Sequence, residues 1–262
     1  MPTTYAHYTF GTEVLQNLND NLKKIISENI DLFNIGLHGP DILFYYGALG
    51  KNEVNNKGHE MHQTKSSVFF ENARKIIQNC VSKDDSFSYI AGFICHYMLD
   101  SECHPFIRQK EAEGYSHGKI EAELDRMFMQ KNNKNPVSFK PTGHIEINRG
   151  YADCISKFYD GVSGEDIYKA LKSMKFYLNF MVAPSKLKRA VIFSGLKLTG
   201  NYEKMSSLIM SYEPDKDLSE IGERLINLYN NAIQPSADII GQYYKSLGSN
   251  SPLNNRFFRN FE

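Results

Sequence analysis

Apolar residues recur at helical spacing along nearly the whole chain, and no stretch alternates apolar with polar residues between hairpin turns as a half-buried strand would. Leu15, Leu18, Ile25 and Ile26 follow Thr12, a candidate N-cap, and predict an amphipathic helix up to about Asn29. Phe69, Phe70, Ala73, Ile76 and Ile77 predict a second helix ending near Cys80. Ser86 can cap a third, which carries YIAGFICHYMLD and is expected to stop by Pro105, a residue with no N–H to give to a helix. A fourth is expected from about Ser116 through HGKIEAELDRMFMQ to about residue 130.

Beyond the loop KNNKNPVSFKPTG, helices are expected near residues 145–159, 164–177 and 183–197. Another spans 217–247, with Ile221, Leu225, Leu228 and Ile233 in register and Pro235 breaking or kinking it. The tail from 248 to 262 reads as irregular, and no internal repeat or low-complexity linker divides the chain. The expectation is a single all-α domain over residues 1–262, with too many helices for a simple four-helix bundle.

Composition narrows the class. The 262 residues are 41% hydrophobic and 23% charged, ordinary for a globular protein. Thirty basic residues balance thirty acidic ones, so overall charge draws the chain neither to nucleic acid nor to an anionic membrane, and no stable nucleic-acid partner is expected. Net charge leaves a local basic patch open. MPTTYAHYTFGTEVL lacks the basic and unbroken apolar regions of a secretory signal, and no run approaches the roughly 18 apolar residues of a membrane span. Four cysteines without a CxxC pair read as reduced thiols in a cytoplasmic protein.

Two segments carry chemistry. In His96-Tyr-Met-Leu-Asp100-Ser-Glu-Cys-His104, residues 96, 100 and 104 fall within about 80° of one another on a helix wheel, so two imidazoles and a carboxylate share a face. His117-Gly-Lys-Ile-Glu121 repeats the i, i+4 arrangement. A lone histidine on an apolar face is usually a hydrogen-bonded core residue, and a single HxxxE is usually an ion pair. Here five ligand-type residues crowd between 96 and 121, and AGFICHYML before Asp100 is almost wholly apolar. Burying His96 and Asp100 there costs several kcal/mol unless they are paired or bound to metal. Imidazole and carboxylate together suit zinc. Upstream, His7, Asp41 after the turn-like His38-Gly-Pro, and His59 and His62 in GHEMHQ are further candidates. Each also has a plain alternative as a turn cap or a solvated loop residue.

Taken in order, His7, the GPD turn, GHEMH, HYMLD with the following His104, and HGKIE resemble the zinc-dependent phospholipase C family, whose fold is shared with P1-type nucleases. The resemblance covers His7 to Glu121 and implies two or three zinc ions. Asp41, His62, His96 and Asp100 would hold one, and His104, His117 and Glu121 a second. His7, with Asp100 bridging, would serve a third. His62 is preferred to His59 because it directly precedes the second predicted helix.

This sequence departs from the family in three ways. The family usually leaves more residues between the bridging aspartate and the next histidine. It uses a mature N-terminal Trp as a metal ligand, where this chain has no Trp and only Pro2 as a substitute amine. Larger members also carry a lipid-binding β-sandwich. The implied activity is phosphodiester hydrolysis by a metal-bound hydroxide, with Asp41 as general base or as ligand. A phospholipid substrate stands first and a single-strand nuclease or nucleotidase second. A metal-stabilised, non-catalytic binding protein is a further alternative. The aromatic and apolar run Ile42 to Tyr46 is a candidate pocket wall, though ordinary core packing explains it equally simply.

Overall fold

The computed structural model describes residues 4–48, 50–249 and 251–262, with the backbone alone at 203 and 204. No strand occurs among the described residues, as the sequence pattern led us to expect. Two helices, α1 (Thr4–Gln16) and α2 (Asp20–Glu28), stand where one was expected to run from Thr12 to Asn29. The break falls at Asn19, whose side chain accepts the Leu22 amide and caps α2. α1 starts earlier because the Asp125 carboxylate, far along the chain, accepts the free amides of Tyr5 and Ala6 at 3.2 and 2.8 Å. Thr12 caps nothing; its hydroxyl donates to the Tyr8 carbonyl inside α1.

Next come α3 (Ile30–Gly36), a 3₁₀ turn (Gly39–Tyr45) and α4 (Glu53–Gln63). α4 falls where the sequence predicts no helix: EVNNKGHEMHQ has little apolar periodicity, yet a reciprocal Asn52–Asn55 capping box starts it. α5 (Ser66–Asn79) precedes the long α6 (Lys83–Ala112). The expected stop at Pro105 does not occur: α6 continues through it, and His104 therefore lies within the helix. Proline in a helix interior costs about 3 kcal/mol. α6 is buried almost all round from Ser86 to Ser101 and buries Ile107 beyond the proline, so packing on both sides outweighs that cost.

α7 (His117–Lys131) follows Ser116 as expected. The rest comprises α8 (Arg149–Ser156), α9 (Gly164–Met181), α10 (Lys186–Leu198), the short α11 (Tyr202–Met205) and α12 (Ser219–Ser246), which also passes its proline, Pro235, without a break.

α6 is the spine, packed by α1, α3, α5 and α12. Its crossing with α3 is close because both helices have glycine there. A Cβ on Gly92 would sit 2.1 Å from the Phe33 carbonyl oxygen, and one on Gly36 would sit 2.1 Å from that of Tyr89. One core joins α1 to α9, α12 and the tail, where Phe257 and Phe261 are buried. A second, small core of Met181, Ala183, Ile192 and Ile209 lies beneath α10.

Candidate metal centre

Eight metal-type side chains come together from five elements. α1 supplies His7, the 3₁₀ turn Asp41, α4 His62, α6 His96, Asp100 and His104, and α7 His117 and Glu121. The 3₁₀ turn approaches α6 through Gly39, at φ +48°, where a Cβ would lie 2.3 Å from the His96 ring. His59 turns outward, exposed and against Phe44, while His62 points inward.

The side chains form three groups whose ligand-type atoms lie within 4.8 Å of one another: His7, His96 and Asp100; Asp41, His62 and His96; and His104, His117 and Glu121. Asp100 is the link. Its carboxylate is 3.2 Å from His7 Nε2, 3.1 Å from His96 Nε2 and 3.8 Å from His104 Nε2. Asp41 Oδ1 is 3.1 Å from His62 Nε2 and 3.9 Å from His96 Nε2. Glu121 Oε1 is 3.1 Å from His117 Nε2 and 3.6 Å from His104 Nε2. The three-residue spacing between Asp100 and His104 sets them one turn apart on an unbroken helix.

Four imidazoles are oriented from behind. The Nδ1 atoms of His62, His96 and His104 donate to the carbonyls of Gly58, Leu37 and Phe261 at 2.7, 3.2 and 2.7 Å, and His117 Nδ1 is 3.3 Å from the Glu111 carboxylate. Each Nε2 thereby faces the group and becomes the lone-pair donor a metal requires once its proton is released. Buried polar atoms nearly always have hydrogen-bond partners. Here His62 Nε2, His96 Nε2, Asp41 Oδ1, Asp100 Oδ2 and Glu121 Oε2 have none, although oppositely charged atoms are near. Their residues belong to the three groups whose ligand-type atoms lie within 4.8 Å of one another. That donor set fits zinc.

Electrostatics favours cations here. Burial would raise the Asp100 carboxyl, but the surrounding His96, His104 and His7 hold it well below the usual carboxylate range. Glu121 is likewise lowered against burial by His104 and His117. Burial pushes His104 down, yet Asp100 and Glu121 outweigh it and lift the imidazole to about 10. His62 and His117 are also raised against burial, by Asp41 and Glu121 respectively. Two ionised carboxylates buried among imidazoles make a site that a divalent ion can enter in exchange for protons.

The sequence model of the zinc-dependent phospholipase C family matches residues 6–177, spanning all eight side chains. The chain belongs to that family. No curated protein and no solved structure matches it. For a zinc-dependent phospholipase C family chain, the all-helical fold and the clustered His, Asp and Glu side chains are what the sequence led us to expect. Pro2, the one candidate to stand in for the family's N-terminal Trp, lies outside the described residues, and no β-sandwich accompanies the helices among those described.

Several supporting residues of this family member carried no signal in the sequence. Asp125 anchors the start of α1, and with it His7. It lies one turn beyond Glu121 on α7. Phe261, in the supposedly irregular tail, presents its carbonyl to His104 and packs its ring against His62 and His96. His38 and His144 meet through their Nε2 atoms at 2.8 Å beside the centre. The run after Asp41 divides: Ile42 and Leu43 are core, Phe44 stacks on His62, and Tyr45 is half-buried. Burial, with the charges of Asp41 and Glu121, raises the Tyr45 phenol. A cavity of about 590 Å³ lined by Met61, Phe69, Tyr159 and Phe261 lies behind α4, but none of the eight side chains opens into it.

Proposed function

We propose that this protein is a zinc-dependent phosphodiester hydrolase of the phospholipase C type, with phospholipid as substrate. The observation that carries the reading is the set of buried, unpartnered donor and acceptor atoms of His62, His96, Asp41, Asp100 and Glu121, converging inside a family whose members are zinc-dependent. In this reading Asp41, His62, His96 and Asp100 hold one ion, His104, His117 and Glu121 a second, and His7 with Asp100 a third. Bound zinc supplies the charge that acidifies water toward neutral pH and neutralises phosphoryl oxygens.

The chain's own residues do the rest. Asp41, buried at the start of its 3₁₀ turn, orients the attacking water and accepts its proton. Asp100 ties the groups together. The carbonyls of Gly58, Leu37 and Phe261 keep three imidazoles in the ligating tautomer. The four cysteines are unpaired thiols, which supports a reducing, cytoplasmic setting.

Elemental analysis of the purified protein tests this. Two or three zinc ions per chain are expected, with fewer in His96→Ala and in Glu121→Ala. Asp100→Asn should lose at least one ion and cut phosphatidylcholine hydrolysis by roughly a hundredfold or more while keeping its helical circular dichroism. Unchanged zinc in Asp100→Asn rules out the bridging role. Faster turnover of single-stranded DNA than of phosphatidylcholine makes the protein a nuclease, and full metal with no turnover of either makes it a binding protein.

A further inference from the structure

Away from the metal-type residues, α9 and α10 present a face that the core does not use. Leu187, Val191 and Leu198 on α10 are 77%, 64% and 89% exposed. At about 100° per residue they lie within about 40° of one another, and Lys186, Lys188 and Lys197 flank them roughly 80 to 120° to either side. The opposite side of α10 is apolar too and is already occupied, Ile192 being buried with Met181, Ala183 and Ile209. α10 therefore has one apolar stripe more than folding requires.

The face continues onto α9. Phe176 and Phe180, one turn apart, are 61% and 45% exposed and stacked, with ring centroids 5.8 Å apart. Lys188 Nζ lies 5.4 Å from the Phe180 ring centroid, joining the two helices. A shallow groove of about 460 Å³ runs between Ile147, Lys172, Lys175, Phe176, Asn179 and Phe180. Charge is as one-sided as the apolar stripe is bare. Between Asp166 and Glu203 the chain has seven lysines and arginines and no acidic residue, in a protein whose thirty positive and thirty negative residues balance overall.

We propose that this α9–α10 face docks on an anionic phospholipid surface, Leu187, Val191, Leu198, Phe176 and Phe180 entering the headgroup–acyl boundary and the lysines meeting lipid phosphates. An apolar stripe rimmed by lysines is the arrangement of a helix that lies in a membrane interface. A second copy of the chain fits poorly, since pairing this face with itself would bring two strongly basic segments together. A nucleic acid would satisfy the lysines and leave the aliphatic stripe in water. The face is also coupled to the centre. Lys175 Nζ donates to the Ile145 carbonyl at 2.6 Å, and Asn179 accepts from Thr142 Oγ1 at 2.9 Å. Both bonds hold the turn that carries His144, the partner of His38 just before Asp41. α10 lies beyond the residues that the family model matches, whereas Phe176 lies within them.

The purpose of the docking rests on the phospholipid reading above, whereas adhesion itself does not need the metals, so the two fail separately. The test is co-sedimentation of the zinc-loaded protein with vesicles of phosphatidylcholine, alone or with about a third phosphatidylserine. Partition is expected to favour the anionic vesicles and to weaken with salt. Leu187→Ser with Val191→Ser, and separately Lys186→Glu with Lys197→Glu, should each reduce it roughly tenfold or more. Zinc content, helical signal and turnover of a soluble short-chain phosphodiester should stay at wild-type values in both variants. Asp100→Asn should bind vesicles like wild type. Vesicle binding that ignores lipid charge or survives both double variants overturns the proposal. So does a wild-type dimer that Leu187→Ser dissociates, or single-stranded DNA capture that the lysine variant abolishes in the absence of vesicle binding. If vesicles are bound but no phospholipid is cleaved, docking stands and the substrate reading falls.

Discussion

His38 and His144 share a 2.8 Å contact beside the centre and are both held neutral. Burial, reinforced by His144, His7 and His96, puts His38 well below the ordinary histidine range. Burial and the nearby Lys175 bring His144 from 6.5 down to about 3. A lowered folded value means that the unfolded chain takes up the proton first, so stability should fall as pH drops from about 6.5 towards 3. The loss is of the order of a few kcal/mol. Urea unfolding of the metal-free protein at pH 6.5 and about 4.5 should show it, and His144→Gln should have a clearly flatter dependence. Equal slopes would mean that other groups govern acid sensitivity. The centre was legible in the sequence where ligands share a helix face, as in His96, Asp100 and His104 or His117 and Glu121. The backbone carbonyls that orient the rings were not, because a carbonyl acceptor has no residue type to mark it. Nor was the His38–His144 pair, whose members are distant in sequence and meet only through packing.

Among the elements, the α3–α6 crossing sets how near the 3₁₀ turn comes to His96. Gly92→Ala should force the helices apart, destabilising the protein by about 2 kcal/mol or more and lowering zinc occupancy. Gly195→Ala makes the contrast: a Cβ on that glycine of α10 meets nothing within 4 Å, so the same change should stabilise by about 0.5–1 kcal/mol. Thermal melts with zinc counts check both. Helix existence was readable where a stripe of Phe, Ile and Leu repeats, as in α5, α7 and α12. Ends were not. Pro105 and Pro235 are strong local stop signals, and each is overridden because buried side chains continue on both sides of it. α4 is the opposite case: its buried face is made of Asn55, Gly58 and His62 and has no apolar stripe to mark it.

Across the whole molecule, two cores of unequal size imply unequal resistance to opening. α6 is enclosed by the main core, whereas α10 rests on a handful of residues. Amide exchange should be fastest in α10 and slowest in α6, by orders of magnitude, in hydrogen-exchange mass spectrometry. At the other end of the scale, Phe261→Ala should cost roughly 3 kcal/mol and weaken zinc retention at the His104 group, since the ring is fully enclosed and its carbonyl holds that imidazole. Ser66 fixes the same tail, its amide donating to the Arg259 carbonyl at 2.9 Å and its hydroxyl to that of Phe257 at 2.9 Å. On the ribosome, then, every one of the eight side chains has been synthesised by Glu121, yet the partner that orients His104 is added only at residue 261. A nascent chain that meets zinc in the interval would do so with a mobile imidazole and an unfinished floor. Orientation of the His104 imidazole is thereby deferred until residue 261 has been added.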